Sequence, residues 1–221
     1  MTDNGITRTL ENTTQEKDLG VIVDPLLNFE DHINCTVSKG NRIAGLLVRT
    51  ITNKSPDIMI PLYKALIRSI LEYGNSVWCP YLRRHIDEIE GVQRRFTKKI
   101  IGMADLSYQE RLIKLKLPSL EYRRLRGDLI EVFKILHDFY DPVTTKSLFV
   151  RSGTDRTRGH NLKLTKHRTH TRQFQNFFTN RIISAWNSLP EDAVNADSLN
   201  TFKNKLDKIF KKDIFSTNLE M

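Results

Sequence analysis

The stretch SPDIMIPLYKALIRSILEYGNSVWCPYLRRHIDEIEGVQRRFTKKI (residues 55–100) decides the fold class. Ser55, Pro56 and Asp57 supply an N-cap, a proline at the first helical position and an early acid, so a helix begins here. Ile58, Leu62, Ala65, Ser69, Tyr73 and Val77 recur at helical spacing and predict its buried stripe. Pro61 lies inside that pattern and has no amide hydrogen, which predicts a kink or a restart. A further helix over residues 84–101 follows, with Ile86, Ile89, Val92, Phe96 and Ile100 on one side.

The same periodicity extends both ways. Ile33, Val37, Ile43, Ala44 and Leu47 predict a helix upstream. Downstream, Ser107 and Glu110 have capping-box spacing for a short helix ending before Pro118. Ser119 caps the next helix, whose core residues are Leu125, Leu129, Val132, Phe133 and Leu136. The first thirty residues differ. GITRTL and DLGVIVD, separated by the polar ENTTQEK, predict a two-stranded hairpin. Beyond Asp141-Pro142, HNLKLTKH alternates as a short strand, NFFTNRIISAWNSLP predicts an aromatic-rich helix ending at Pro190, and a last helix starts near Ser198. The expected fold is mainly α: a short N-terminal β-hairpin, a helical bundle, then a basic strand or loop segment and C-terminal helices. Three segments follow: residues 1–30, 31–140 and 141–221.

The 221-residue chain carries 35 Lys and Arg against 26 Asp and Glu, a net charge of +9, which favours an anionic partner. Its two cysteines, Cys35 and Cys79, have neither zinc-site nor disulfide-framework spacing, and the N-terminus lacks the pattern of a secretion signal, so an intracellular setting, nucleus or cytoplasm, is expected. The most apolar window, residues 58–71, is interrupted by Lys64 and Arg68, so no membrane span is expected. The sequence has no Asp-Asp pair for two metals, no nucleotide-binding glycine loop and no Gly-x-Ser-x-Gly elbow. Trp78, Phe96, Phe133 and Trp186 are expected in the core.

Three basic clusters remain. Arg94, Arg95, Lys98 and Lys99 fall late in their helix, where the macrodipole favours cations, and Glu90 can pair with Arg94. Arg123 and Arg126 lie at the start of theirs, where cations are disfavoured, with no acid three or four residues away. Arg124 has Glu121 and Asp128 within reach. Arg123 and Arg126 therefore predict an anion from outside the helix. The third cluster, residues 151–172, has seven Lys and Arg and three His against the single acid Asp155; Arg156, Arg158 and Arg168 are its candidate phosphate contacts. His167 and His170 lack neighbours that would complete a metal site.

Six segments occur in a telling order: EKDLGVIVDPLLNFEDHI, NRIAGLLVRT, SPDIMIPLYKALIRSILEYGNSVWCPYLRRHIDEIEGVQRRFTKKIIGM, SYQERLIKLKLPSLEYRRLRGDLIEVFKIL, TRGHNLKL and NRIISAWNSLP. Together they resemble the C-terminal part of reverse transcriptases of non-LTR retrotransposons, the jockey-like elements. The resemblance implies that residues 5–24 correspond to the last β structure of the polymerase palm, residues 31–140 to the helical thumb, and the basic tail to the element's C-terminal region. It also implies that the aspartates holding two divalent metals such as magnesium belong to a palm absent from this sequence, so no catalytic residue and no cofactor is expected in this chain. The family's C-terminal cysteine–histidine knuckle has no counterpart here.

The expected function is therefore part of an RNA-directed DNA polymerase that retains a nucleic-acid-holding thumb and tail, inactive alone. RNA, an RNA–DNA hybrid or DNA is the expected partner, bound through its backbone at Arg94, Arg95, Lys98, Lys99, Arg123, Arg126, Arg156, Arg158 and Arg168. A separate palm domain is a further partner; no membrane or small-molecule substrate is expected. The alternatives are a helical protein-interaction module and a retroelement remnant without function.

Overall fold

The computed structural model describes residues 2–3, 6–7, 13–145, 147–153, 159–211 and 213–215. Two small antiparallel hairpins open the chain: β1 (Thr2–Asp3) with β2 (Ile6–Thr7), and β3 (Glu16–Asp18) with β4 (Val21–Val23). The sequence reading paired GITRTL with DLGVIVD; among the described residues Ile6–Thr7 pairs instead with Thr2–Asp3. DLGVIVD folds back on itself, pairing Asp18 with Val21 across Leu19 and Gly20, both at positive φ (44° and 89°). Such a two-residue turn matches strand twist, and glycine meets its second position without strain.

Asp24 starts the helical part. Its carboxylate accepts from the amides of Leu26, Asn28 and Phe29 (3.0, 3.2 and 2.7 Å) and turns the chain into α1 (Glu30–Thr50). Ser55 precedes α2 (Pro56–Leu62), with Pro56 in the first turn as expected. The interruption at Pro61 takes the form of a π-helical segment, Tyr63–Arg68, which continues into α3 (Ser69–Glu72). α4 (Asn75–Trp78) and α5 (Arg83–Thr97) follow. The buried stripe is displaced from expectation, by one residue at Met59 and Tyr63 and by two at Ile67 and Leu71. Met59, Tyr63, Ile67 and Leu71 are fully buried, while Ile58, Tyr73 and Val77 are exposed. Residues four apart drift by roughly 40° per step on an α-helix. The wider π turn absorbs much of that drift and keeps the four on one line. Gly40 permits the close approach of α1: a Cβ there would lie 3.1 Å from Leu71 and 3.3 Å from Val92.

α6 (Tyr108–Leu115) has the expected capping box, with Ser107 Oγ accepting from the Glu110 amide and Glu110 accepting from the Ser107 amide. Ser119 caps α7 (Leu120–Leu136). After α8 (Pro142–Thr145), HNLKLTKH forms no strand; its one β contact is the bridge between Arg151 and Leu164. NFFTNRIISAWNSLP is likewise broken, across α9 (Arg172–Asn176), α10 (Phe178–Arg181) and α11 (Ile183–Asn187). The breaks let its apolar groups point inward from several directions, burying Phe178, Ile182, Ile183 and Trp186. α12 (Glu191–Val194) leads to α13 (Leu199–Ile209), which starts where expected and is capped by Ser198.

The molecule is thus mainly helical, with two cores. One gathers α1 to α6, β4 and Leu120; the other gathers Leu125, Leu129, Val132 and Phe133 of α7 with α10, α11 and α13. Trp78 and Phe96 lie in the first, Phe133 and Trp186 in the second, as expected of core aromatics. Phe133 stacks on Phe202 at 4.3 Å. α7 therefore belongs to both cores, and the division between them falls inside this helix.

Glu90, on α5, sets where α7 begins. Its buried carboxylate accepts from the amides of Leu120 (2.9 Å) and Glu121 (3.3 Å) and from the Tyr108 hydroxyl. It thus satisfies the first amides of α7, where a negative charge is also favoured by the dipole. It does not pair with Arg94, which is exposed one turn further along α5. Replacing Glu90 with alanine strips these buried donors of their acceptor and should lower stability by about 3 kcal/mol in urea denaturation.

Candidate nucleic-acid interface

The C-terminal half of α5 and the turn after it (residues 98–100) separate two kinds of residue, the helix ending at Thr97 where the sequence reading carried it to residue 101. Ile89, Val92, Phe96 and Ile100 are buried, while Arg94, Arg95, Lys98 and Lys99 are exposed. Two of the helix's three acids are engaged elsewhere: Asp87 accepts from Arg83 (2.7 Å), whose hydrogen bond holds its carboxyl below the usual range, and Glu90 is in the core, while Glu88 is exposed in the first half of the helix. Among the described residues none of the four cations forms an ion pair. Two are held in place. Arg95 Nη2 donates to Asn41 Oδ1 on α1 (3.0 Å), and the Arg94 guanidinium lies over the Tyr108 ring, 5.2 Å from its centre. α1 packs along α5 and contributes exposed Arg42 and Arg49.

Arg111 closes the end of α5. It is buried and donates to the Arg94 carbonyl (3.2 Å), to Thr97 Oγ1 (3.2 Å) and to the Leu106 carbonyl (2.5 Å). A cation against the last carbonyls of a helix complements its dipole and fixes the backbone that carries Arg94 to Lys99. Neither Asn41, Tyr108 nor Arg111 was recognised as part of this site from sequence, because their contacts join different helices.

The α7 arginines correct the sequence reading. Arg123 is gripped by Glu72 of α3, with Nη2 to Oε2 at 2.8 Å and a second hydrogen bond from Nε to Oε1. Arg126 is gripped by Asp207 of α13, at 2.6 and 2.9 Å, and Asp207 also accepts from the Tyr122 hydroxyl. The anion expected outside α7 is thus supplied by the chain itself, once for each arginine. Arg124 reverses in the opposite sense. Glu121 accepts from Arg83 and Asp128 from Arg181, while the buried Nη2 of Arg124 has no hydrogen-bond partner among the described residues.

Asp128 and Arg181 join the two cores. Arg181 donates to Asp128 (3.0 Å), to the Asn176 carbonyl (3.1 Å) and to the Ser76 carbonyl (3.2 Å), linking α4, α7 and α10. Burial pushes the Asp128 carboxyl up to about 6 despite the attraction of Arg181 and Arg124.

In the third cluster, Arg168 is exposed within the irregular run 165–170, and His167 and His170 are exposed beside it. Arg156 and Arg158 lie outside the described residues. Among the described residues no group of three or more His, Cys, Asp or Glu is placed to hold a metal ion, and no helix is long and apolar enough to cross a membrane.

No family model and no solved structure matches the chain. It is similar to an uncharacterized protein of Caenorhabditis elegans, 25% identical over 126 residues, which make up 56% of this chain and 64% of that protein.

Two outcomes follow from this geometry. Arg123→Ala with Arg126→Ala should lower stability by about 1–3 kcal/mol in urea denaturation, through the loss of two bidentate charged contacts. Asp128 holds a proton more tightly when folded than unfolded, so its contribution declines as pH rises from about 4 to about 6. Asp128→Asn should flatten the stability-against-pH curve over that window, by on the order of 2 kcal/mol, when denaturation midpoints are compared at each pH.

Proposed function

We infer that this chain corresponds to the thumb and C-terminal part of a jockey-like reverse transcriptase and holds an RNA–DNA hybrid by its phosphates. The observation that carries the binding reading is the α5 cluster: Arg94, Arg95, Lys98 and Lys99, all exposed and without ion pairs among the described residues. The family assignment rests on the six ordered sequence segments. Side chains of this kind contact phosphates without reading bases, so binding is electrostatic and independent of sequence. Arg168 extends the basic surface in the tail, in a setting inside the cell. Arg123 and Arg126 serve the reading indirectly, by holding α7 against α3 and α13.

Binding of the purified chain to a labelled hybrid across a salt series tests this. With about four phosphates engaged, affinity should fall by about two decades between roughly 50 and 200 mM salt. Replacing Arg94, Arg95, Lys98 and Lys99 with glutamine should make the slope shallower by about three units, while Arg123→Ala/Arg126→Ala leaves it nearly unchanged. An unchanged slope in the glutamine variant would remove the α5 cluster from the interface.

A further inference from the structure

Away from the α5 cluster, the β3–β4 hairpin, α1 and α3 line an open concavity of about 330 Å³, near the lower end of ligand-site volumes. Lys17 of β3 and Lys39 of α1 line it from two sides, and no acidic residue lines it. Neither lysine forms an ion pair among the described residues. Two exposed lysines border one small concavity that no acid lines, so an anion placed there is attracted by both.

The neutral groups of the cavity are set to donate. The Ile22 amide donates to His32 Nδ1 (3.2 Å), so this nitrogen is the acceptor and the ring proton sits on Nε2. Burial, with the charge of Lys39, holds the His32 pKa below its usual value, which keeps the ring in this neutral form. Nε2 faces the Thr36 hydroxyl at 3.5 Å, so Thr36 oxygen accepts there and its own hydrogen is free for another acceptor. Thr50, Ser69 and Thr97 spend theirs on helix carbonyls; among the described residues Thr36 does not. At the mouth, the Tyr73 hydroxyl donates to the Leu19 carbonyl (2.8 Å) and holds an exposed ring against Gly20.

From these features we propose that the cavity binds a phosphate monoester, with Lys17 and Lys39 contacting its oxygens and the Thr36 hydroxyl donating to a third. A monoester carries nearly two negative charges at neutral pH, matching the two lysines, whereas a backbone diester carries one. Its source is a small sugar phosphate or the phosphorylated end of a nucleic-acid strand. The site is independent of the α5 cluster. No contiguous glycine loop announces it in the sequence, since its parts come from three separate segments.

The test is titration of the full chain with inorganic phosphate, ribose 5-phosphate and a dinucleotide with or without a 5′-phosphate, followed by amide NMR shifts at Gly20 and Thr36. Saturable shifts at both amides are expected with phosphate and ribose 5-phosphate. The 5′-phosphorylated dinucleotide should shift them and the unphosphorylated one should not if strand ends are a source; if neither dinucleotide acts, the source is the free sugar phosphate. Lys17→Gln/Lys39→Gln should weaken phosphate binding at least about tenfold, and Thr36→Val severalfold. The α5 glutamine variant should bind phosphate as the parent does, which separates this site from hybrid binding. Absence of saturable shifts, equal affinity in the lysine variant, or equal action of both dinucleotides would overturn the proposal.

Discussion

A fully buried carboxylate holds the two halves of this molecule in register. Glu90 leaves the exposed charge pattern of α5, enters the core and accepts the first amides of α7 together with the Tyr108 hydroxyl. Burial pushes its carboxyl toward the protonated form, while the Tyr108 hydrogen bond, the charge of Arg124 and the two amides oppose that shift. The stakes are high because α7 serves both cores. Leu120 packs in the first, and Leu125, Leu129, Val132 and Phe133 nucleate the second. A change in how α7 leaves α5 would carry α10, α11 and α13 with it. Glu72, Asp207 and Arg181 then brace α7 along its length.

The distribution of charge follows from this bracing. A basic chain that folds around a long shared helix uses several arginines as internal struts, each bidentate on a carboxylate or on backbone carbonyls. What is left for a partner is the basic surface that folding does not consume. On α5 that surface is the face opposite Ile89, Val92 and Phe96. Its cations are oriented by an amide, an aromatic ring and the arginine that closes the helix end, rather than neutralised by acids.

Local elements were legible wherever neighbouring residues decide them. The capping box at Ser107, the cap at Ser119, the helix start near Ser198 and the interruption at Pro61 all depend on groups within four residues. So did the apolar side of α5. The stripe of α2 through α3 was misplaced because a 3.6-residue period was assumed where the backbone widens to a π turn. NFFTNRIISAWNSLP kept its apolar content but not one helix, since its aromatics serve a core that approaches from more than one side. HNLKLTKH alternates, yet it has no neighbouring strand beyond a single bridge.

The sequence by itself determined the helical class, most helix starts, the core aromatics and the basic balance, because spacing and capping act over a few residues. Tertiary structure alone decided which cations are spent. Arg123 and Arg126 have no acid within four residues, yet Glu72 lies 51 residues from Arg123 and Asp207 lies 81 from Arg126. Arg124, with acids at three and four residues, loses both to Arg83 and Arg181. An ion pair is set by distance in space, and a bidentate contact across two helices outcompetes one along a single helix whenever packing brings the carboxylate in line.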